Sequence, residues 1–315
     1  MKIIITGGQG FLGQRLAKAL LAQTKLPISK LLLLDISTPQ HHINDPRVEA
    51  ISVDLRDKAA LQQYIQADID AIFHLAAIVS SQAEEQPDLG YEINFLASKN
   101  LLDLCRAVNP QIRFIFASSL AVYGGDLPEI IQNNTALTPQ STYGVQKAMC
   151  ELLINDYTRK GFVDGIVLRL PTICIRPGKP NQAASSFVSS IMREPLCGET
   201  ANCPVDRSLA LWLSSPDTVV ANFIHSLSLP PLHLNERYSI NLPGFSITVE
   251  EMLTQLATIK GQEILQHITY QFDRKINDIV ASWPAKIDIS RAISLGFMVD
   301  DHFADVIHQF INHDL

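Results

Sequence analysis

Short apolar runs alternate with longer stretches of helical periodicity over the first half of the chain. The apolar runs are four to six residues long and predict buried strands at Lys2–Ile5, Leu31–Leu34, Ala50–Val53, Ala71–Leu75, Ile112–Ala117 and Gly165–Leu170. Helix-like spacing of apolar positions fills the intervals: from the glycine-rich stretch to about Gln23, at Asp57–Ala67, at Pro87–Val108 and in the segment through Tyr143 and Lys147. Strands that alternate with helices in this way predict an α/β fold, a doubly wound parallel sheet of the Rossmann type.

The pattern loosens after Pro171, where proline, glycine, serine and asparagine crowd residues 171–186. Beyond this stretch we predict helices at Ala184–Arg193, Ser215–Leu227 and Thr248–Lys260, and extended segments at Arg207–Leu213 and Arg237–Asn241. The change in pattern predicts a sheet domain over residues 1–171, completed by parts of 210–245. Residues 172–315 would then form mainly a smaller C-terminal lobe.

Three glycines, Gly7, Gly10 and Gly13, follow the first predicted strand and precede the first helix, with Phe11 and Leu12 between the last two. Glycine permits a tight turn and lets the backbone approach a pyrophosphate, which then lies at the N-terminus of the helix. A glycine trio alone is a weak signal that a plain turn would also explain. Its place between strand and helix predicts a dinucleotide-binding loop.

Asp35 ends the second predicted strand, twenty-two residues after Gly13. A carboxylate at this point accepts hydrogen bonds from the adenosine ribose hydroxyls and repels a 2′-phosphate, so it favours NAD over NADP. The alternative is a strand-end aspartate that serves only the turn.

Tyr143 and Lys147 lie four residues apart and therefore share one face of a helix. An ammonium near a phenol favours the phenolate, so it lowers the pKa of the tyrosine and makes it a base for a substrate alcohol. The pair alone would equally describe two solvated side chains on a helix surface.

Composition limits the partners that the chain can have. The 315 residues are 47% hydrophobic and 18% charged with a formal charge of −7, which argues against nucleic acid or an anionic membrane as a partner. No apolar run is long enough to span a bilayer. Five scattered cysteines without a Cys-x-x-Cys pair indicate reduced thiols in a cytoplasm, and nine histidines without metal-like spacing predict no metal site.

Five motifs together resemble the extended short-chain dehydrogenase/reductases, the group that includes nucleoside-diphosphate-sugar epimerases and dehydratases. They are Thr-Gly-Gly-Gln-Gly-Phe-Leu-Gly at 6–13, His-Leu-Ala-Ala at 74–77, Ser-Ser-Leu-Ala-Val-Tyr-Gly at 118–124, Tyr-Gly-Val-Gln-Lys at 143–147 and Leu-Arg-Leu-Pro at 168–171. They occur in the family's order over about the first 175 residues. The resemblance implies an NAD-binding Rossmann domain and a substrate-binding C-terminal lobe. It also implies a homodimer, since many relatives pair helices.

The resemblance further implies roles for individual residues. Ser119 would hydrogen-bond the reacting oxygen, Tyr143 would be the general base, and Lys147 would tune it and hold the nicotinamide ribose. The remaining cofactor contacts would be made by Asp54 and Leu55 beside the adenine, by Leu75, Ala76 and Ala77 along the riboses and phosphates, by Asn94 as an anchor, and by Pro171 and Thr172 at the nicotinamide. For Asn94, a purely structural tether is the alternative.

The second half of the chain bears on the substrate. Sugar-nucleotide members of the family commonly carry asparagine where this chain has Thr172, which argues against a diphosphate substrate. The segments 169–181 and 183–190, Cys-Pro-Val-Asp-Arg at 203–207, and 211–220 resemble the branch that contains D-erythronate dehydrogenase. That resemblance implies NAD-dependent oxidation of the C2 hydroxyl of a short sugar acid. A nucleoside-diphosphate-sugar 4-epimerase with tightly bound NAD and a non-catalytic NAD-binding sensor or scaffold are the alternatives.

A sugar acid requires a cation for its carboxylate, and arginine binds carboxylates through two parallel hydrogen bonds. Arg176 and Arg207 are the candidates, because they fall in loop-rich segments expected to face the nicotinamide. Each has a structural alternative, a loop cap for Arg176 and an ion pair for Arg207. Ser80, Asn181 and Ser185 are candidates for binding substrate hydroxyls, whereas Arg169, beside a buried strand end, is expected to be structural.

Overall fold

The structure, a computed structural model, describes residues 1–38, 43–178, 185–230 and 238–315. Its strands are β1 (Lys2–Thr6), β2 (Lys30–Asp35), β3 (Val48–Ser52), β4 (Ala71–His74), β5 (Arg113–Ser119), β6 (Asp164–Leu170), β7 (Thr172–Ile173), β8 (Ala201–Asn202), β9 (Ala210–Ser214), β10 (Tyr238–Asn241), β11 (Phe245–Thr248) and β12 (Ile268–Thr269). Its α-helices are α1 (Phe11–Leu21), α2 (Lys58–Gln62), α3 (Ser80–Glu85), α4 (Pro87–Gly90), α5 (Ala97–Val108), α6 (Thr142–Arg159), α7 (Ser186–Leu196), α8 (Pro216–Ser226), α9 (Val249–Lys260), α10 (Arg274–Ala281), α11 (Ser290–Ser294) and α12 (Phe303–His313). A π-helical segment joins α4 to α5 at Tyr91–Leu96, and 3₁₀ turns occupy Leu120–Val122 and Gln262–His267.

The described chain divides into two compact units. The first comprises Met1–Val122, Ser141–Arg169 and Val220–Ile240, and the second comprises Tyr123–Gln140, Leu170–Val219 and Asn241–Leu315.

A seven-stranded sheet in the order β10-β6-β5-β4-β1-β2-β3 organises the first unit. The pairs β1–β2, β1–β4, β2–β3 and β4–β5 run parallel. The order reverses between β1 and β4, so the carboxyl ends of these two strands flank the point where such sheets bind nucleotides. This is a Rossmann-like α/β fold, as predicted from the alternation of elements.

Aliphatic side chains fill both faces of this sheet. Ile3, Ile4 and Ile5 of β1 have no exposed surface, because helices cover the sheet on both sides. Each buried aliphatic side chain contributes roughly 1.5–3 kcal/mol through removal of its surface from water. The continuous apolar runs that predicted strands are therefore the interior of the sheet.

Two predicted helices differ from the observed elements. The helix predicted at Asp57–Ala67 ends at Gln62, and the chain beyond it turns so that Ile65 and Ile69 enter the core. The helix predicted at Pro87–Val108 is helical throughout but contains the π-helical segment. In both cases tertiary packing sets the backbone path, which periodicity alone does not reveal.

The second unit contains a three-stranded sheet in the order β11-β9-β7 and a two-stranded sheet of β12 and β8. Its core includes Leu253 of α9 and Ile307 of α12. Asp300 accepts hydrogen bonds from the hydroxyls of Ser214, Ser215 and Thr218 at 2.8, 2.5 and 2.6 Å, and so ties the start of α8 to the C-terminal segment. No helix among the described residues is long and apolar enough to cross a membrane.

Candidate functional site

The glycine loop after β1 lies against the segment that follows β4. Gly7 has a φ of +69°, and a Cβ at this residue would approach the backbone nitrogen of Ala76 to 2.9 Å. A Cβ at Gly13, on the first turns of α1, would lie 2.3 Å from the carbonyl oxygen of Gly7. Neither position therefore tolerates a side chain. The close backbone packing that these glycines permit forms a tight turn at the N-terminus of α1, the kind of position at which a pyrophosphate binds.

Asp35 lies half-buried at the carboxyl end of β2, next to this loop. Its carboxylate accepts hydrogen bonds from the backbone nitrogens of Gln9 and Ser37, each at 3.0 Å. The first bond joins Asp35 directly to the glycine loop. The carboxylate is thus oriented at the position that the sequence predicted for binding the ribose.

The segment after β4 is held in place by Asn94 of the π-helical segment. The Asn94 Oδ1 accepts a hydrogen bond from the backbone nitrogen of Ile78 at 2.9 Å, and its Nδ2 donates to the Ile78 carbonyl at 3.3 Å. The same Nδ2 donates to Oε1 of Gln146, on α6, at 2.8 Å. Asn94 therefore links the candidate cofactor segment Leu75–Ala77 to the helix that carries Tyr143 and Lys147.

The two residues predicted beside the adenine follow β3. Asp54 forms an ion pair with Arg56 at 2.7 Å, and this hydrogen-bonded guanidinium lowers the pKa of Asp54. Leu55 is buried in the sheet core. Asp54 therefore already has a charged partner within its own loop.

A buried histidine connects the same elements through its ring. His74, at the end of β4, has Nδ1 2.7 Å from the Thr6 hydroxyl and Nε2 2.7 Å from the Ser98 hydroxyl. Since the Ser98 hydroxyl donates to the Asn94 carbonyl at 2.7 Å, it accepts from the ring, which assigns the proton to Nε2. Burial, together with the charge of Lys147, lowers the pKa of His74 to about 3, so the ring is neutral.

Helix α6 begins at a doubly capped N-terminus. The Ser141 hydroxyl accepts a hydrogen bond from the backbone nitrogen of Gly144 at 3.1 Å, and Glu84 accepts one from the backbone nitrogen of Thr142 at 2.9 Å. Both acceptors satisfy amides that a helix start leaves unpaired. The second residue of the helix, Tyr143, is half-buried, and Lys147 lies one turn further on.

Lys147 is fully buried and has specific contacts for its ammonium. Its Nζ donates to the carbonyl of Ala117 at 2.8 Å and lies 4.5 Å from the centroid of the Phe116 ring. The same nitrogen is 5.6 Å from the centroid of the Tyr143 ring. Burial lowers the pKa of Lys147 to about 8, and the neighbouring Cys150 and Glu151 oppose this effect. An ammonium so close to the phenol stabilises a phenolate.

The two serines at the end of β5 point to different surroundings, as successive strand residues do. Ser119 is half-buried, and its hydroxyl accepts a hydrogen bond from the backbone nitrogen of Ala121 at 3.1 Å. Ser118 is buried and donates to Oε1 of Glu151 at 2.5 Å. Glu151 in turn pairs with Arg169, which confirms the structural expectation for that arginine.

The candidate substrate residues have different environments. In the second unit, Nη2 of Arg176 lies 3.4 Å from the Ser185 hydroxyl, so the structure brings these two candidates together. Arg207 instead forms an ion pair with Glu250 and stacks over the Tyr270 ring at 5.1 Å. Thr172 pairs with Leu213 in the sheet of this unit, and the adjacent Pro171 is buried. Ser80 begins α3 in the first unit, and Asn181 lies outside the described residues.

Sequence reasoning missed three residues at this site. His74 stands in a quoted motif without an assigned role, and Ser118 was overlooked beside Ser119. Glu151 lies four residues after Lys147 and therefore on the same face of α6, a spacing that would have identified it. Its partner on β6 is far away in the sequence and gives no local signal.

Comparison with known proteins adds to this geometry. Residues 3–212 match the model of the NAD dependent epimerase/dehydratase family. The chain belongs to this family. It is 65% identical to a D-erythronate dehydrogenase from Haemophilus influenzae, with each chain covered completely. It is 48% identical to a D-erythronate dehydrogenase from Cupriavidus necator, with 99% of this chain and 98% of that protein covered.

Among solved structures, a nucleoside-diphosphate-sugar epimerase from Agrobacterium tumefaciens superposes with a TM-score of 0.94 at 38% identity. The alignment covers 100% of this chain and 94% of that one. The family gives NAD as the cofactor, and the two full-length dehydrogenase relatives indicate that the chain is an oxidoreductase. The tight glycine turn at the N-terminus of α1 and the oriented Asp35 carboxylate fit this cofactor.

Proposed function

We propose that the protein is an NAD-dependent dehydrogenase that oxidises the C2 hydroxyl of a short sugar acid, D-erythronate, to 2-oxotetronate. The observation that carries this substrate is the full-length identity of 65% to a protein named D-erythronate dehydrogenase. The chemistry is supported by the buried ammonium of Lys147 next to the Tyr143 phenol. We further propose that residues 1–171, with parts of 210–245, bind the cofactor and that 172–315 mainly bind the substrate.

The glycine loop and the strand ends would hold the cofactor. The backbone of Gly7 to Gly13 receives the pyrophosphate, and Asp35 receives the adenosine ribose. Other contacts come from Asp54 and Leu55 at the adenine, Leu75–Ala77 along the phosphates, Asn94 as an anchor, and Pro171 and Thr172 at the nicotinamide. When bound, NAD accepts the hydride that leaves C2.

Tyr143, Lys147 and Ser119 would handle the proton and the oxygen of the alcohol. The phenolate of Tyr143 takes the proton of the C2 hydroxyl, and the ammonium of Lys147 stabilises that phenolate. The hydroxyl of Ser119 hydrogen-bonds the oxygen as it becomes a carbonyl. Each of these groups acts where charge changes during the reaction, which is where stabilisation accelerates it.

Arg176 is our first candidate for the substrate carboxylate. The guanidinium of Arg207 already binds Glu250, and a second carboxylate would have to compete with that ion pair. Arg176 lies beside the hydroxyl of Ser185, and the two groups could bind a carboxylate and a hydroxyl of one short sugar acid. Ser80 and Asn181 remain proposals for further hydroxyl contacts.

The 4-epimerase alternative has one specific observation in its favour, the structural match to a protein named nucleoside-diphosphate-sugar epimerase at 38% identity. Such an enzyme would use the same groups but keep its cofactor, so it would release no NADH. A non-catalytic NAD-binding sensor would not need an ammonium buried next to the Tyr143 phenol, as Lys147 is. The higher identity of the two dehydrogenases favours net oxidation.

The discriminating experiment follows NADH absorbance with a panel of aldonic acids and of UDP-sugars. We expect NADH to accumulate with D-erythronate. We expect the rate of NADH formation to be lower with longer or shorter acids. Reduction of NAD only with UDP-sugars, or epimerisation without NADH release, would reject the proposed substrate. Absence of turnover on the whole panel, despite NAD binding, would favour the sensor.

We also propose that the protein acts in the cytoplasm as a homodimer. All five cysteines are free thiols, and four of them are buried, which suits a reducing compartment. Leu152 on α6 and Leu96 on the adjoining π-helical segment expose 62% and 48% of their surface, and such apolar residues favour pairing of two copies.

A further inference from the structure

A buried three-residue cluster, Ser118, Glu151 and Arg169, joins the carboxyl ends of β5 and β6 to α6. We propose that Glu151 is a positioning residue for the proposed reaction, which holds Ser119 in place and supports the positive charge on Lys147. The proposal rests on the proposed roles of Tyr143, Lys147 and Ser119. It concerns a residue that none of the matching motifs includes.

The geometry of the cluster is that of a fixed anchor. Nε of Arg169 donates to both carboxylate oxygens of Glu151, at 3.1 and 3.0 Å, and its Nη2 donates to Oε2 at 2.7 Å. Oε1 also accepts a hydrogen bond from the Ser118 hydroxyl at 2.5 Å. Glu151 and Arg169 expose only 1% and 4% of their surface. A buried carboxylate with this many charge-assisted bonds has one orientation.

The position of the cluster gives it a functional consequence. Ser118 immediately precedes Ser119, so its bond to Glu151 restrains the end of β5 next to Ser119. Ala117, one residue earlier, supplies the carbonyl that binds the ammonium of Lys147. The same strand end therefore carries both contacts, and Glu151 fixes it from the side of α6.

The charges around Lys147 give Glu151 its second role. The groups near the ammonium are His74 from β4, the Phe116 ring and the Ala117 carbonyl from β5, and Tyr143, Cys150 and Glu151 from α6. His74 is neutral, and burial raises the pKa of the Cys150 thiol to about 11, so it stays protonated near neutral pH. Glu151 is the anion of this set, and its charge, only partly offset by Arg169, stabilises the buried ammonium.

A matched ion pair at the opposite ends of the same strands serves as the control. Arg113 begins β5 and Asp164 begins β6, and they pair at 2.6 Å with 12% and 19% of their side chains exposed. Loss of either pair removes a tie between β5 and the β6 region. Only the pair at the carboxyl ends adjoins Ser119 and Lys147.

The test compares Glu151→Gln with Asp164→Asn in the full chain. For Glu151→Gln we expect kcat to fall about 10-fold or more, with the KM for NAD within about twofold. Without the carboxylate the ammonium of Lys147 loses its proton at lower pH, so the alkaline limb of the kcat profile should move down by about one pH unit. For Asp164→Asn we expect a lower thermal midpoint but an unmoved alkaline limb.

Glu151→Gln leaves the buried Arg169 without its charged partner, so a second variant covers the case in which this one does not fold. The double variant Glu151→Gln/Arg169→Met removes both charges of the pair and should fold. Its alkaline limb should still move down, but by less than in Glu151→Gln, because the opposing charge of Arg169 is also lost. Ser118→Ala keeps the charge, so it should lower kcat without moving the limb. An alkaline limb that stays in place in both Glu151 variants, or that moves equally in Asp164→Asn, would overturn the proposal.

Tyr143→Phe separates this inference from the proposed function. If that variant retains turnover, the assigned base is wrong. If it loses turnover while the Glu151 variants keep the wild-type pH profile, only the role of Glu151 fails.

Discussion

At the residue scale, the most consequential group is the phenol of Tyr143, because a buried ammonium lies beside it. Tyr143→Phe removes the hydroxyl and keeps the ring, so we expect turnover to fall by about 10²- to 10⁴-fold, the usual contribution of a general base. The dissociation constant for NAD, measured by tryptophan quenching or calorimetry, should remain within about twofold. Unchanged turnover in this variant would contradict the proposed mechanism.

The matched control is Tyr157→Phe on the same helix. The Tyr157 hydroxyl donates to Asp103 at 2.6 Å, away from Lys147. This variant loses a hydrogen bond that typically contributes about 1–3 kcal/mol when its partner is charged. We expect it to be less stable but to keep its kcat.

The buried, neutral ring of His74 should make the protein less stable in acid. Its pKa in the folded protein is about 3, below the unperturbed 6.5, so the unfolded chain binds the proton more readily. The neutral ring therefore contributes stability that is complete above pH 6.5 and is lost as the pH falls towards 3. At about 1.4 kcal/mol for each pH unit, the loss amounts to roughly 5 kcal/mol at most.

Urea unfolding of the wild type and of His74→Gln between pH 7 and pH 4 measures this contribution. The variant cannot titrate at this position, so its free energy of unfolding should fall less steeply with acidity than that of the wild type. The carboxylates titrate in both proteins and cancel in the difference. Parallel curves would show that His74 does not carry the acid sensitivity.

At the element scale, α6 matters because its first turn carries Tyr143. Ser141→Ala removes the N-cap bond to Gly144 and should cost about 1 kcal/mol of stability. It should also lower kcat, since the first turn of the helix loosens around the base. Thermal unfolding and steady-state kinetics measure the two effects.

Thr248→Ala is the control for this helix cap. Thr248 caps α9 of the second unit through a capping box with Glu251, so its loss should cost a similar free energy. We expect no change in kcat from it. Equal kinetic effects of the two substitutions would mean that general destabilisation, and not the start of α6, controls the rate.

Elements defined by local sequence patterns could be predicted, and elements shaped by contacts between distant residues could not. The strands β1, β2, β4, β5 and β6 could be predicted because continuous burial gives continuous apolar runs. The early end of α2 and the π-helical segment could not, because they depend on packing between residues distant in the chain. The same limit applies at the site. The pair Tyr143 and Lys147 could be predicted because the two residues are four positions apart, whereas the pair Glu151 and Arg169 could not, because the two residues meet only after folding.

At the scale of the whole molecule, we predict that two copies associate through α6. In analytical ultracentrifugation the wild type should sediment as a dimer, and Leu152→Glu should shift it to the monomer, because a charge at an apolar contact is costly to bury. Phe272→Glu in the second unit is the control, since Phe272 is 61% exposed and should leave the dimer intact. A monomeric wild type would contradict the prediction.

For the molecule as a whole, sequence predicted the fold, the family and the cofactor, whereas the substrate contacts were less accessible. Arg207 illustrates the reason: its ion pair with Glu250 joins residues forty-three positions apart, which no motif reveals. Arg176 and Ser185, nine residues apart, could be proposed together because they belong to one segment. A sequence shows which reactive residues lie close together along the chain. It does not show whether a distant residue already forms an ion pair with one of them.

The π-helical segment at Tyr91–Leu96 has a consequence for insertions and deletions. A π turn accommodates one more residue than an α turn, so removing a single residue from this segment would restore a regular α-helix. The shorter helix would rotate Asn94 away from Ile78 and Gln146 while leaving the length of α5 and its apolar face intact. A single-residue deletion here would therefore uncouple the segment after β4 from the helix that carries Tyr143 and Lys147.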